Sequence, residues 1–325
     1  MEQLVFEFII ILPISLCIGI VAALTGISGG AFKTPLLIIL FLLPAEVASA
    51  VSLLSAVFVS VAGTLAYYRH NPDQVNFRIG LFLVIATLPG TSVGIFLRTI
   101  FADAHILRSI FGIVLFPIAL KMMMSLPIEN DALCDEEKIV RISQLSLMKI
   151  IMIIFAAFLA GILAGLLGLG GGTLIVPALC IILNFPILAA AATSMFTMIF
   201  TTSVGSLINY IAFIQTDNLI VFLYYGLVMG TGMVTGGFIG PKYANRVDGL
   251  MLQRLFGFIL IFALVKMMSL GQLWFNPEGS SFLLATIGDS IIWLLIGIPL
   301  LMVSFYRIRK RRKKPANDFE IPYIE

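Results

Sequence analysis

Residues 147–167 read LMKIIMIIFAAFLAGILAGLL, a stretch whose only charge is Lys149. About 20 apolar residues in a row are long enough to cross the hydrocarbon core of a bilayer. Comparable runs fall at 4–25, 46–68, 77–98, 105–124, 188–212, 219–240, 250–270 and 282–306. The 325-residue chain is 60% hydrophobic and 11% charged, with a mean hydropathy of +1.09. A soluble domain carries about 25% charged residues. This chain has too little polar surface to face water, so lipid is its solvent and an integral membrane protein is expected. The opening MEQLVFEF holds Glu2 and Glu7 and no Lys or Arg. It lacks the positive start of a signal peptide and is read as a retained first span.

Two glycine-rich segments interrupt the apolar runs: GISGGAFKTPLL (26–37) and GLLGLGGGTLIVPAL (165–179). They are copies. At an offset of 168 − 26 = 142, Gly26, Gly29 and Gly30 fall on Gly168, Gly171 and Gly172, Pro35 on Pro177, and Pro44 on Pro186. The same register pairs Gly19 with Gly161, Ser52 with Ser194, Gly63 with Gly205, Tyr68 with Tyr210, Gly90 with Gly232 and Gly94 with Gly236. Internal duplication of this kind is a construction of secondary transporters. The expected organisation is a first transmembrane repeat at 1–125, a charged linker at 126–145, a second repeat at 146–271, an appended helix at 272–306 and a basic tail at 307–325. The fold class is all-α and polytopic: two homologous, inverted repeats, each of about four long helices plus a short Pro-bounded broken segment, with one extra C-terminal transmembrane helix.

The short apolar runs at 34–44 and 173–185 decide the topology. If they cross, each half has five crossings and the halves are inverted; if they turn back, the halves are parallel. Cytoplasmic loops favour Lys and Arg. Arg307 to Lys314 holds seven positive residues, which places the C-terminus inside. The inverted arrangement then puts Lys33, Arg69, Arg78, Lys121, Lys138, Arg141, Lys149, Lys242, Arg246 and Arg254 inside, against Arg98, Arg108 and Lys266 outside. The parallel one splits them about evenly, so inversion is preferred. The location expected is the cell inner membrane.

Irregular backbone is tolerated at membrane depth only where protein or a water-filled cavity covers it. The two glycine segments are therefore expected to meet in the interior. Glycine allows positive φ and close approach of N–H groups. Pro35 and Pro177 fit the first turn of a helix, where no N–H is needed. The helix so opened has free N–H donors and a positive dipole end, which suits an anion. The candidate substrate-binding set is Thr25, Gly26, Ser28, Gly29, Gly30, Thr34 and Ser52 from the first half, and Gly168, Gly170, Gly171, Gly172, Thr173, Ser194 and Thr197 from the second, with Ser55 matching Thr197. The hydroxyls have two readings: donors to an oxyanion, or bonds to their own helix carbonyls. Lys33 also has two: attraction of incoming anions, or an interfacial snorkel. Glycine pairs such as Gly90/Gly94, Gly161/Gly165 and Gly232/Gly236 read as close helix packing.

With these residues in hand, the chain resembles the sulfite exporter TauE/SafE family. The resemblance rests on GISGGAFKTP, GLGGGTLIVP, the helix spacing after each and GPKYANRVDGLMLQRLFGFILIFALVKMM. It spans about residues 5–270, and it implies a carrier for sulfite, sulfoacetate or related sulfur-containing anions. Ser28 departs from the pattern, standing where the second copy has Gly170.

The function expected is a secondary transporter exporting a small anion by alternating access, driven by the membrane potential or a coupled ion. The alternative is an anion channel or a non-transporting membrane assembly protein. No phosphate-binding GxxxxGK[ST] is present. No HExxH is present, His70 and His105 lie at loop edges, and a nucleophile elbow is not expected. Asp289 reads as interfacial, and no enzyme activity or cofactor is expected. Cys17, Cys134 and Cys180 form no pair, and those in apolar runs read as small hydrophobes, with a sulfur-handling role for Cys180 as the other reading. Partners are the small anionic substrate and, at the basic tail, anionic lipid headgroups. A net charge of +3 gives no reason to expect nucleic acid, and a homo-oligomer is compatible with the chain.

Overall fold

The computed structural model describes residues 2–100, 146–244 and 287–299, with scattered helical positions elsewhere. Among the described residues there are helices and no strand. The order is α1 (Glu2–Thr25), α2 (Gly30–Phe41), α3 (Ala45–His70), a 3-10 turn (Pro72–Gln74), α4 (Phe77–Ile100), α5 (Leu147–Leu167), α6 (Gly172–Ile182), α7 (Ile187–Phe213) and α8 (Asn218–Ala244). The described part of the last apolar segment is α9 (Ile287–Pro299). Among the described residues, five helices are long and apolar enough to span a bilayer: Ala45–His70, Pro72–Thr99, Leu147–Leu167, Ile187–Phe213 and Asn218–Ala244. Of the runs expected at 105–124 and 250–270 only scattered helical positions are described, and the linker and the basic tail lie outside the described residues.

α3 and α7 form the centre. Both are rich in Ala, Ser, Thr and Gly, and these small residues let backbones approach closely. Their contacts run in opposite senses: Gly63 lies against Met195, while Gly205 lies against Leu53. Positions 142 residues apart thus exchange partners, and α3 and α7 are antiparallel. The other contacts are parallel. Gly232, Gly236 and Gly240 of α8 meet Ser15, Gly19 and Ala23 of α1 in ascending order. Gly226, Gly230 and Gly237 of the same helix meet Leu54, Phe58 and Ala62 of α3. Gly90 and Gly94 of α4 meet Phe158 and Ile162 of α5. Gly80, Thr87 and Arg98 of α4 meet Thr197, Thr201 and Asn209 of α7. So α1, α3 and α8 run one way, and α4, α5 and α7 run the other.

The glycine pairs pack as their spacing indicates. A Cβ at Gly161 would overlap the Thr87 carbonyl oxygen, and one at Gly165 the Thr91 carbonyl oxygen. Away from these seams the helices turn apolar side chains outward. Leu147, Met148, Ile151, Met152 and Phe155 form an exposed stripe along one face of α5. In water that stripe would be costly; in lipid it is solvated. Asp289, read as interfacial from the sequence, is buried in the fold.

The short helices correct one expectation. Pro177 does not sit in the first turn of α6; the helix already begins at Gly172. α2 likewise begins at Gly30, five residues before Pro35. The cause is the positive φ of the preceding glycines, +72° at Gly29 and +86° at Gly171, which turns the chain and lets the next residue start the helix. Leu42 and Asn184, again 184 − 42 = 142 apart, end the short segments with φ of 53° and 54°.

The packing seam gives a clean contrast. Gly161→Ala forces a methyl into backbone that cannot yield and should cost about 2 kcal/mol or more. Gly63→Ala meets only the flexible Met195 thioether at 3.3 Å. Thermal unfolding in detergent should show a clear loss of Tm for the first and little change for the second.

Candidate functional site

The two glycine loops cross antiparallel in the interior. Gly172 faces the Gly26 carbonyl, Gly170 faces Ser28, and Gly30 faces the Gly168 carbonyl. Residues 25–30 and 168–173 are buried. Gly26, Gly29, Gly168, Gly170 and Gly171 all have positive φ, between 66° and 86°. The crossing needs these glycines for space as well as angle. A Cβ at Gly26 would come within 2.5 Å of Ala191 Cα, and one at Gly172 within 2.5 Å of the Gly26 oxygen. Ser28, the departure from the pattern, lies outside the positive-φ group, while its counterpart Gly170 lies within it. The two loops are therefore not equivalent in backbone.

The central helices hold the loops through serine. Ser52 Oγ of α3 donates to the Gly168 carbonyl at 2.8 Å, and Ser194 Oγ of α7 donates to the Gly26 carbonyl at 3.1 Å. Ser28 Oγ donates to Leu169 O at 2.6 Å and accepts from Gly30 N at 3.3 Å. Thr34 Oγ1 donates to Leu167 O at 3.2 Å. Thr25 bonds back to Val21 O at 2.8 Å, within its own helix. Thr197 Oγ1 lies 3.0 Å from Thr193 O and 3.3 Å from Gly80 O. In this arrangement these hydroxyl protons are committed to carbonyls. Each such bond contributes about 1 kcal/mol net, and removing one leaves a buried carbonyl at a larger cost.

Thr173 is different. It is fully buried, and its Oγ1 has no hydrogen-bond partner. Pro177, four residues on, has no N–H to give to the Thr173 carbonyl. So one residue at the opening of α6 carries an unpartnered hydroxyl and a carbonyl without its helical donor. The first N–H groups of α2 and α6, at Gly30 and Gly172, likewise lack intrahelical acceptors.

Lys33 is fully buried, one turn into α2. Its Nζ donates to Ser52 O at 2.8 Å and to Ser55 Oγ at 3.0 Å. It neither snorkels nor faces open solvent; it lies one serine away from the second loop. At the offset of 142, position 175 holds Ile.

Arg98 was read from the sequence only as an outer charge. The structure leaves its side chain 11% exposed, near the C-terminal end of α5. Its Nη1 reaches Ser49 Oγ at 2.5 Å and Gly165 O at 3.5 Å, and its Nη2 reaches Asn209 Oδ1 at 2.5 Å. Glu46 stands at 4.0 Å. An arginine within an apolar span is itself a signal for a functional or structural role. At the equivalent place in the first half, Tyr67 Oη donates to Ala23 O at 2.9 Å.

One motif reading needs correcting. Residues 26–30, GISGG, do have the G-x-S-x-G spacing of a nucleophile elbow. That motif requires a strand before the turn. Here it joins two helices, and among the described residues no histidine or carboxylate bonds to Ser28.

The profile of the sulfite exporter TauE/SafE family matches residues 11–267. The chain is similar to the probable membrane transporter protein YunE of Bacillus subtilis, at 29% identity over 78% of this chain and 95% of that protein. It is also similar to a probable membrane transporter protein of Methanocaldococcus jannaschii, at 29% identity over 81% of this chain and 99% of that protein. No solved structure matches. A polytopic helical protein whose match takes in both glycine loops and every spanning helix described, the chain belongs to the sulfite exporter TauE/SafE family.

Proposed function

We propose that this protein is a secondary carrier that moves a small anion, such as sulfite or an organosulfonate, outward across the cell inner membrane. The observation that carries the reading is the buried antiparallel crossing of the two glycine loops, 26–30 over 168–172. Each loop opens a helix whose first N–H groups and dipole end favour negative charge. The hydroxyls named above are tied to carbonyls and the Gly30 N–H to Ser28 Oγ, so the groups left to meet an anion are the first N–H groups of α6 and Thr173 Oγ1, with the Lys33 amine, bonded to Ser52 O and Ser55 Oγ, beside them.

The mechanism is alternating access around that crossing. Inverted repeats are supported by three features: the offset of 142 in sequence, its recurrence in the positive φ of Gly26/Gly168, Gly29/Gly171 and Leu42/Asn184, and the opposite senses of α3 and α7. The parallel seams of α1 with α8 and of α4 with α5 join helices from different halves. The bodies that rock are therefore the mixed bundles α1–α3–α8 and α4–α5–α7. The C-terminal tail lies on the cytoplasmic side against anionic headgroups.

Purified protein in proteoliposomes should give saturable counterflow of at least one of sulfite, sulfoacetate, thiosulfate and sulfate. Thr173→Val removes one hydroxyl at nearly constant volume. It should raise KM roughly tenfold to a hundredfold, the worth of one hydrogen bond to a charged group, without lowering Tm. A wild type that moves none of these anions rejects the carrier assignment; a fully active Thr173→Val rejects the placement of the site. Gly171→Leu with Gly172→Leu should abolish flux.

Topology has its own check. With native cysteines replaced, Leu42→Cys should react with an impermeant maleimide from outside and Asn184→Cys from inside. Labelling of both from one side would rule out the inverted arrangement.

A further inference from the structure

Lys33 sits fully buried, and among the described residues its amine bonds to Ser52 O and Ser55 Oγ and to no carboxylate. Arg98 of α4 and Glu46 of α3 stand 4.0 Å apart as an ion pair. Among the described residues of α1, α3 and α5, no carboxylate bonds to the Lys33 amine. From α3, the groups at the amine are Ser52 and Ser55; Glu46 is tied to Arg98, and Tyr67 gives its proton to Ala23 O. From the described side chains of α1 the one titratable group is Cys17, which is exposed. From α5 it is Lys149, in the first turn of that helix and far along the chain from the loop. A lone ammonium in such a place is costly.

The hydrogen bonds count the protons. A neutral amine has two N–H groups, and an ammonium has three. Two acceptors face Lys33 Nζ: Ser52 O at 2.8 Å and Ser55 Oγ at 3.0 Å. Ser55 in turn donates to Ser52 O at 3.1 Å, so its oxygen is free to accept. Two donors meet two acceptors, and a third N–H would have none. Ser52 also donates to the Gly168 carbonyl, which puts the amine beside the loop crossing.

We propose that Lys33 is the coupling group of this carrier: its amine is neutral in the empty site and takes up one proton when an anion arrives. The inference rests on the carrier reading given above. The step balances in charge and atoms. Lys–NH2, a proton and a monovalent anion give Lys–NH3+ paired with the anion, and no bond other than N–H forms. The third N–H, without an acceptor in the empty site, then has the anion as its acceptor. On the other side of the membrane the anion leaves and the proton follows. Loaded and empty carriers bear the same net charge, so flux of a monovalent anion responds to the pH gradient and not to the membrane potential.

The test uses the full chain in proteoliposomes with pyranine inside and methanesulfonate as probe, an anion that does not titrate near neutrality. Wild type should show saturable influx that acidifies the lumen by about one proton per anion. Its KM should rise about tenfold per pH unit through the range in which the empty site is neutral. Flux should be unchanged by a potassium diffusion potential. Lys33→Arg, with a fixed charge, should lose the acidification and the pH dependence and become sensitive to potential. A wild type that moves methanesulfonate without acidification, or a Lys33→Arg protein that acidifies as wild type does, overturns the proposal. A second measurement is independent of variant transport. Methanesulfonate added to unbuffered, detergent-solubilised wild type should draw protons from solution, and Lys33→Met of equal Tm should draw none. Wild type drawing none also overturns it. Absence of flux with every sulfur oxyanion would instead remove the carrier reading beneath it.

Discussion

A peptide group in hydrocarbon has no water to turn to, so each carbonyl freed by a broken helix needs a donor from elsewhere in the protein. This protein breaks two helices at depth and meets the demand with serine and threonine. Ser52 and Ser194, on the two central helices, hold Gly168 and Gly26; Ser28 and Thr34 hold Leu169 and Leu167. The rest of the architecture follows. α3 and α7 must lie against the loops to deliver those hydroxyls, and so must be narrow. Their Ala, Ser and Gly content supplies the narrowness, and the glycines of α1, α4, α5 and α8 let the outer helices close around them.

The site differs from an open cradle of hydroxyls. Its polar side chains are mostly engaged, which makes the crossing rigid and concentrates its unmet bonding capacity in few atoms. Thr173 and the helix N-termini lie on one side of that balance, and Lys33 lies on the other. The two loops do similar structural work with different chemistry. The first loop segment has Ser28 and Lys33, where positions 170 and 175 of the second are Gly and Ile. The two loops thus present unlike surfaces at their crossing.

Much of this was legible in the sequence, for physical reasons. Apolar runs of bilayer length announce spanning helices, and glycines in register announce both the loops and the seams. Gly-x-x-Gly-Gly implied left-handed backbone, and it is there at Gly26, Gly29, Gly168 and Gly171. What sequence withheld was pairing at a distance. Ser52 is 116 residues from Gly168, and Ser194 is 168 residues from Gly26. No local pattern distinguishes a serine bound to its own turn from one reaching across the fold. Pro177 misled because proline favours a first turn, whereas the positive φ of Gly171 had already started the helix. Arg98 was visible as a charge, but its bonds to Ser49, Gly165 and Asn209 depend on the packing of three other helices.

The seam between α1 and α8 bears on the order of synthesis. α1 ends at Thr25, and the helix whose glycines fit against it begins at Asn218. At about 5 to 20 residues per second, the ribosome needs roughly 10 to 40 s to make the intervening chain. During that time the first helix is in the bilayer without its main neighbour, and the glycine-lined face of α4 has only a shorter wait for α5. Assembly therefore closes from the middle of the chain first, and the amino-terminal helix docks late, as one of the last pieces to lose contact with lipid.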